Sequence, residues 1–373
     1  MLTPLCAYVR LFGIQIMKKN YKSFLYSFFI LIFIYLFIFS TNNLYANTYK
    51  IDNIEIADEY NTSFNKDNII DKAFKKAFQT LINKITVSKD HSLLENQNLK
   101  LIKSFVESFS VVSEKFENNK YYGIFEINFN KNKILNFLRN KNVFHSRMIE
   151  KKILFIPVFI NLENNTLLLF NENPFYKNWN DENENQFLLK YILQNEDLDD
   201  YKFIQERINF IENYDFKEII SKYELNDNFI IFIVLKDKVN FKTFSKFNIN
   251  SIESNFKQEF KSFDFKDEEK VIDLVKLMKI RYDDEWKKIN LINSSIKLNI
   301  QLNLDSKNII LLEKIEKMLN EIELIEKYYI SYFNNDTTRY SILSNSTPDK
   351  LINEFEKFKI KVTIENNIWS LSE

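Results

Sequence analysis

A chain of 373 residues with 51 basic and 51 acidic side chains has no surplus of positive charge, which argues against nucleic acid or anionic lipid as a partner. Its two glycines, Gly13 and Gly123, cannot build a G-x-G-x-x-G fingerprint, a G-x-x-x-x-G-K-[ST] phosphate loop or a G-x-S-x-G nucleophile elbow. A single cysteine, Cys6, excludes an internal disulfide and a zinc-thiolate centre.

Residues 24–39, FLYSFFILIFIYLFIF, run from Phe24 to Phe39 without a charge, a glycine or a proline. Lys18, Lys19 and Lys22 precede the run and a polar stretch ending in Leu44, Tyr45 and Ala46 follows it, the order of a secretory signal. At about 1.5 Å per residue the run spans roughly 24 Å, short of a hydrocarbon core of roughly 30 Å. We therefore expect export to the periplasm with cleavage after Ala46. The alternative is an uncut anchor in the inner membrane facing the periplasm, and this segment is the one membrane contact expected. Met17 opens MKKNYKSFLYSFF as a natural start, so residues 1–16 read as an upstream extension that includes Cys6. A lipoprotein reading of Cys6 fails because the basic and apolar regions come after it.

Residues 1–46 hold four basic residues (Arg10, Lys18, Lys19, Lys22) and no acidic one, leaving 47 basic against 51 acidic in the exported remainder. Its stability must come from ordinary burial, for which 37 Phe and 19 Tyr supply bulk. With so few glycines, turns fall to Asn and Asp, which tolerate the left-handed region best after Gly.

The expected fold class is α+β and α/β, in three small sandwich-type domains after the N-terminal segment. Residues 47–145 form the first, an α+β unit. Ile51, Ile54 and Ile56 mark a strand; Ile69, Ala73, Phe74, Ala77, Phe78, Leu81, Ile82 and Ile85 recur on one helical face, with Asp67 at the N-cap position. A shorter helix is expected over residues 93–102. Two β-rich runs, 105–116 and 121–129, join at ENNK, whose paired Asn suit positive φ in a hairpin turn. A short helix over 134–138 closes the unit.

Residues 150–290 form the second, an α/β unit. Residues 153–160 are apolar at nearly every position, as in a central strand buried on both faces, with Pro157 marking a bulge or the strand's end. A helix is expected over 182–193, another near 216–223, a strand over 229–235, hairpins over 239–265 and a long helix over 268–289 that carries Trp286.

The Ala73 and Ala77 helix, YYGIFEINFNKNKILNFLRNKNVF, KKILFIPVFI and LLLFNENPFYKNW together resemble an uncharacterised family of exported bacterial proteins known as the domain of unknown function DUF2066. Ile153, Leu154, Phe155, Ile156, Pro157 and Val158 stand for the family's apolar strand; Leu169, Phe170, Glu172, Asn173, Pro174, Phe175 and Trp179 stand for its aromatic turn. Phe170 and Phe175 replace tryptophans and keep the aromatic bulk. The resemblance covers most of the exported chain, implies an envelope location and carries no catalytic residue.

Residues 294–373 form the third unit. Ile296, Leu298, Ile300, Leu302 and Leu304 alternate with polar residues as a half-buried strand, and Ile309 to Ile322 carry a helical pattern. A hairpin crosses NNDT, Thr347 and Pro348 start a second helix, and residues 360–371 form one last strand. The order β, α, β, β, α, β is that of a ferredoxin-like fold.

Phe170, Asn173, Pro174, Phe175, Tyr176 and Trp179 form the candidate interaction surface, against the competing expectation that they plug a sheet edge. His91 and His145 are expected to face solvent or to be lightly hydrogen-bonded, and Glu196, Asp197, Asp199 and Asp200 to form a solvated loop. No catalytic residue, metal or cofactor is assigned. The expected function is non-catalytic binding or assembly with envelope proteins. The alternatives are a carboxylate-based hydrolase near Glu172 or residues 196–200, and a small-molecule or ion-binding module in the middle unit.

Overall fold

The computed structural model describes residues 48–180, 184–293, 296–365 and 368–372; the apolar run 24–39 and the expected cleavage site lie outside the described residues. The chain enters through strand β1 (Thr48–Glu59) and helix α1 (Lys66–Ile85), followed by short helices α2 (His91–Leu94) and α3 (Leu99–Phe105). Strands β2 (Val106–Glu117) and β3 (Lys120–Asn130) and helix α4 (Lys131–Asn140) complete this part. The sheet is antiparallel in the order β1-β3-β2. Ala73 and Ala77 are fully buried, so α1 lies close over β1 and β3 and meets Ile51, Ile54, Phe125, Ile127 and Phe129. Asn65, not Asp67, caps α1: its side chain accepts from the backbone N–H of Asp67 at 2.8 Å, and Asp67 sits in the first turn. Asn118 and Asn119 take φ of 51° and 58° in the β2–β3 turn, and Asn53, Asn142, Asn165 and Asn250 also adopt positive φ.

A two-residue strand, β4 (His145–Ser146), leads into the middle sheet, which starts with β5 (Lys151–Asn161) and β6 (Thr166–Leu168). Helix α5 (Pro174–Trp179), strand β7 (Leu189–Leu193), helices α6 (Leu198–Glu206) and α7 (Lys217–Ile220), strands β8 (Asn228–Asp237), β9 (Asn240–Ile249) and β10 (Ile252–Phe260), and helix α8 (Glu268–Ile289) follow. The sheet order is β10-β9-β8-β5-β6, with β7 also on β5. Central β5 runs parallel to β7 and β8 and antiparallel to β6, and residues 153–160 are all buried. One face packs on α5 and α8 through Phe155, Phe175, Trp179 and Tyr282; the other packs on Ile204 and Ile219 through Leu154, Ile156 and Val158.

Two expectations change here. The helix expected over 182–193 is strand β7 over its second half, because a short apolar run looks alike in either conformation and only its pairing with β5 selects one. Pro157 is neither a bulge nor an end: β5 pairs with β8 in unbroken register through it. On the other side of β5, β7 pairs up to Phe155 and β6 from Phe159. Pro157 lies in that gap, and its carbonyl, pointing to the same side as its nitrogen, accepts from the side chain of Asn173. The missing N–H therefore costs no ladder bond.

Strand β11 (Leu291–Ile292) returns to pair with β4, bringing His145 opposite Ile292. The last sheet is built from β12 (Leu298–Asp305), α9 (Ile309–Glu321), β13 (Ile325–Phe333), β14 (Thr337–Ser344), α10 (Pro348–Lys357), β15 (Lys361–Glu365) and β16 (Ile368–Ser372). Its order is β13-β14-β12-β16-β15. Residues 360–371, expected as one strand, form two: β15 lies at the edge and β16 folds back antiparallel to it, parallel to β12. Thr347 holds the N-cap position of α10 with no side-chain bond, while Pro348 stands in the first turn. From Thr48 on, the chain is one compact unit of mixed α+β structure with several small sheets.

Candidate functional site

The aromatic motif expected as an interaction surface is largely interior. Asn173, Phe175 and Trp179 are fully buried, whereas Phe170, Pro174 and Tyr176 are half-buried. Asn173 caps α5 by accepting from the N–H groups of Phe175 at 2.9 Å and Tyr176 at 3.4 Å, and donates to Pro157 O at 3.1 Å. Trp179 stacks on Phe155 with ring centroids 3.6 Å apart. Tyr176 donates its hydroxyl to Gln194 O at 2.9 Å. The motif thus fills the gap between β6 and β7, and Asn173, Phe175 and Trp179 are not available to a partner.

The acidic stretch is solvated only in part: Glu196 and Asp199 are exposed, whereas Asp200 is buried. Asp197 caps α6, accepting from Asp199 N at 2.7 Å, and Lys222 lies 2.6 Å from both Asp197 and Asp200. Burial pushes the Asp200 carboxyl above the usual range, whereas the Lys222 ammonium and the Asp199 N–H hold Asp197 below it. Lys222 occupies the space between the two carboxylates, so the pair ties α6 to the 3-10 turn Ser221–Tyr223. Glu172 is exposed, and Glu196 is exposed beside Asn171. No cluster of three or more His, Cys, Asp or Glu suited to a metal occurs among the described residues.

Of the two histidines, His91 is lightly hydrogen-bonded as expected, whereas His145 is buried. His145, on β4, is buried, and desolvation lowers its pKa to about 4, opposed by Glu323 and assisted by Lys131 and Arg139. His91 opens α2, with Nε2 3.3 Å from Thr86 O and Nδ1 3.8 Å from Glu95. Burial pushes its pKa below the ordinary value. It lines a cavity of about 200 Å³ between α1 and α2 on one side and α8 on the other.

Strand β2, to which the sequence reading gave no role, is the most exposed apolar element of the first sheet. It is twelve residues long and lies at an edge, with no residue beyond Val106 even half-buried. Phe109, Val111, Val112 and Phe116 are exposed along it. Phe109, Val111 and Phe116 stand opposite Ile127, Phe125 and Tyr121, so they belong to the helix-covered face but overhang α1. Aromatic contacts support the overhang: Phe74 meets Phe109 edge-on at 5.2 Å, and Tyr60 meets Phe116 at 4.8 Å. The register shifts between Val106 and Ser108 and between Val111 and Ser113, which leaves Val112 extra to the ladder and 61% exposed. The signal in the chain is VESFSVVSEKFE, a strand-like run whose apolar Phe109, Val111, Val112 and Phe116 alternate irregularly with polar residues.

No helix among the described residues is long and apolar enough to cross a membrane. No protein-family model matches the chain, and no curated protein does.

Proposed function

We propose that the protein is an exported, non-catalytic envelope protein that binds another protein by accepting an extended segment along β2. The observation that carries this is the twelve-residue edge with Phe109, Val111, Val112 and Phe116 exposed. An edge strand offers a row of unpaired backbone N–H and C=O groups, and its exposed side chains supply selectivity for the added strand. Export is supported by the charged, apolar and small-residue order of residues 17–46, and kinship with the DUF2066 family by residues 153–179. A ferredoxin-like origin of the last unit is supported by the strand order β13-β14-β12, with a hairpin in place of the usual fourth strand.

A photo-crosslinking residue at Val112, in intact cells, tests the reading. It should yield a discrete adduct with an envelope protein, while the same group at exposed Leu198 on α6 should not. Val112 without an adduct in cells that contain the folded protein would overturn it.

A further inference from the structure

The cavity of about 200 Å³ between α2 and α8 is lined by the oppositely charged side chains of Glu95 and Lys276. Glu95, just past the end of α2, has His91 as its nearest basic group at 3.8 Å. Burial pushes that imidazole's pKa below its ordinary value, which favours its neutral form beside the carboxylate. Lys276, on α8, is exposed and presents its ammonium at the cavity's other side. Lys287 adds no net charge, because it lies 2.9 Å from Asp283 and 3.7 Å from Asp284. Phe187 and Ile280 give the same cavity an apolar wall, and Asn83 adds an amide.

A simple anion would satisfy Lys276 and face Glu95; a simple cation would do the reverse. A molecule that carries both charges on one end satisfies both walls at once. An apolar cavity of roughly 150 Å³ is enough for benzene, so the space also holds a benzene-sized side chain. We propose that this cleft binds a free amino acid with an apolar side chain, its ammonium on Glu95, its carboxylate on Lys276 and its side chain against Phe187 and Ile280. The site is independent of β2 and draws its walls from both the first and the middle sheet units.

Calorimetric titration of the full chain with L-leucine, L-phenylalanine, N-acetyl-leucine and leucinamide tests the proposal. Leucine and phenylalanine should bind, and each blocked form should bind about tenfold more weakly or worse, the loss of about one charge pair. In Glu95→Gln, leucine and N-acetyl-leucine should become equal; in Lys276→Gln, leucine and leucinamide should. Both positions lie on the surface, and an unchanged melting temperature would show that the variants fold. Absence of heat with either free amino acid, or equal binding of the blocked forms to the unsubstituted protein, would overturn the assignment; the second result needs no variant.

Discussion

Asp284 on α8 accepts both hydrogen bonds that Ser88 can donate, the backbone N–H at 2.9 Å and the hydroxyl at 2.5 Å, across 196 residues of sequence. Its neighbour Asp283 accepts from the N–H groups of Leu188 at 2.7 Å and Leu189 at 3.1 Å, where β7 begins. Consecutive carboxylates on one helix thus hold two different sheet units, with Lys287 near both. Asp284→Ala strips Ser88 of two acceptors at a part-buried site and leaves Lys287 with one carboxylate. The expected loss is about 1–3 kcal/mol in urea unfolding. Amide exchange should quicken first over residues 86–98, and an unchanged urea midpoint would show that the bridge contributes nothing.

His145 makes stability depend on pH in a defined window. Its folded pKa is about 4 against an ordinary 6.5, so between these values the unfolded chain binds the proton that the folded chain refuses. Stability then rises with pH across the window: it is lost as pH falls from 6.5 to 4 and changes no further from this source below that. The full contribution is about 3 kcal/mol, to order of magnitude. His145→Leu should flatten that part of the profile relative to the unsubstituted protein, and parallel profiles would exclude the mechanism.

Asn173 serves the fold with both ends of its amide, so its replacements should differ in kind. Asn173→Asp keeps the cap of α5 but loses the bond to Pro157 O and buries a charge; Asn173→Ala loses both. Asn173→Ala should cost about 2–4 kcal/mol, since a cap is worth about 1 and a stranded buried acceptor about 1–3, and Asn173→Asp about 1–3 kcal/mol for the acceptor together with the cost of its buried charge. Tryptophan fluorescence followed through unfolding reads this directly, because Trp179 closes the same helix.

The β2–β3 turn depends on left-handed backbone at Asn118 and Asn119. Asn119→Val should destabilise by about 1–2 kcal/mol, whereas Asn119→Gly should leave the urea midpoint unchanged or raise it slightly. Equal effects of the two would mean that the turn adapts without cost.

The elements visible from residue pattern were those whose signal is local. Helix α8 runs from Glu268 to Ile289 as its periodicity implies, capped by Asp267, whose side chain accepts from Lys270 N at 3.3 Å. The alternation from Leu298 to Leu304 and the paired Asn of ENNK were equally direct, because period, cap and turn chemistry act within a few residues. Strand β7 was not, since its five residues carry no period and take their form from β5. The NEDLDD stretch depended on Lys222, a cation more than twenty residues away that pattern does not reveal. For the candidate sites the division is the same. An apolar residue announces that it tends to be covered, not whether anything covers it: Phe175 and Phe116 look alike in the chain, yet the first lies under β5 and β8 and the second overhangs a bare edge. Covering is a property of distant segments meeting, and so are the burial of His145 and the meeting of Glu95 with Lys276 around one cavity.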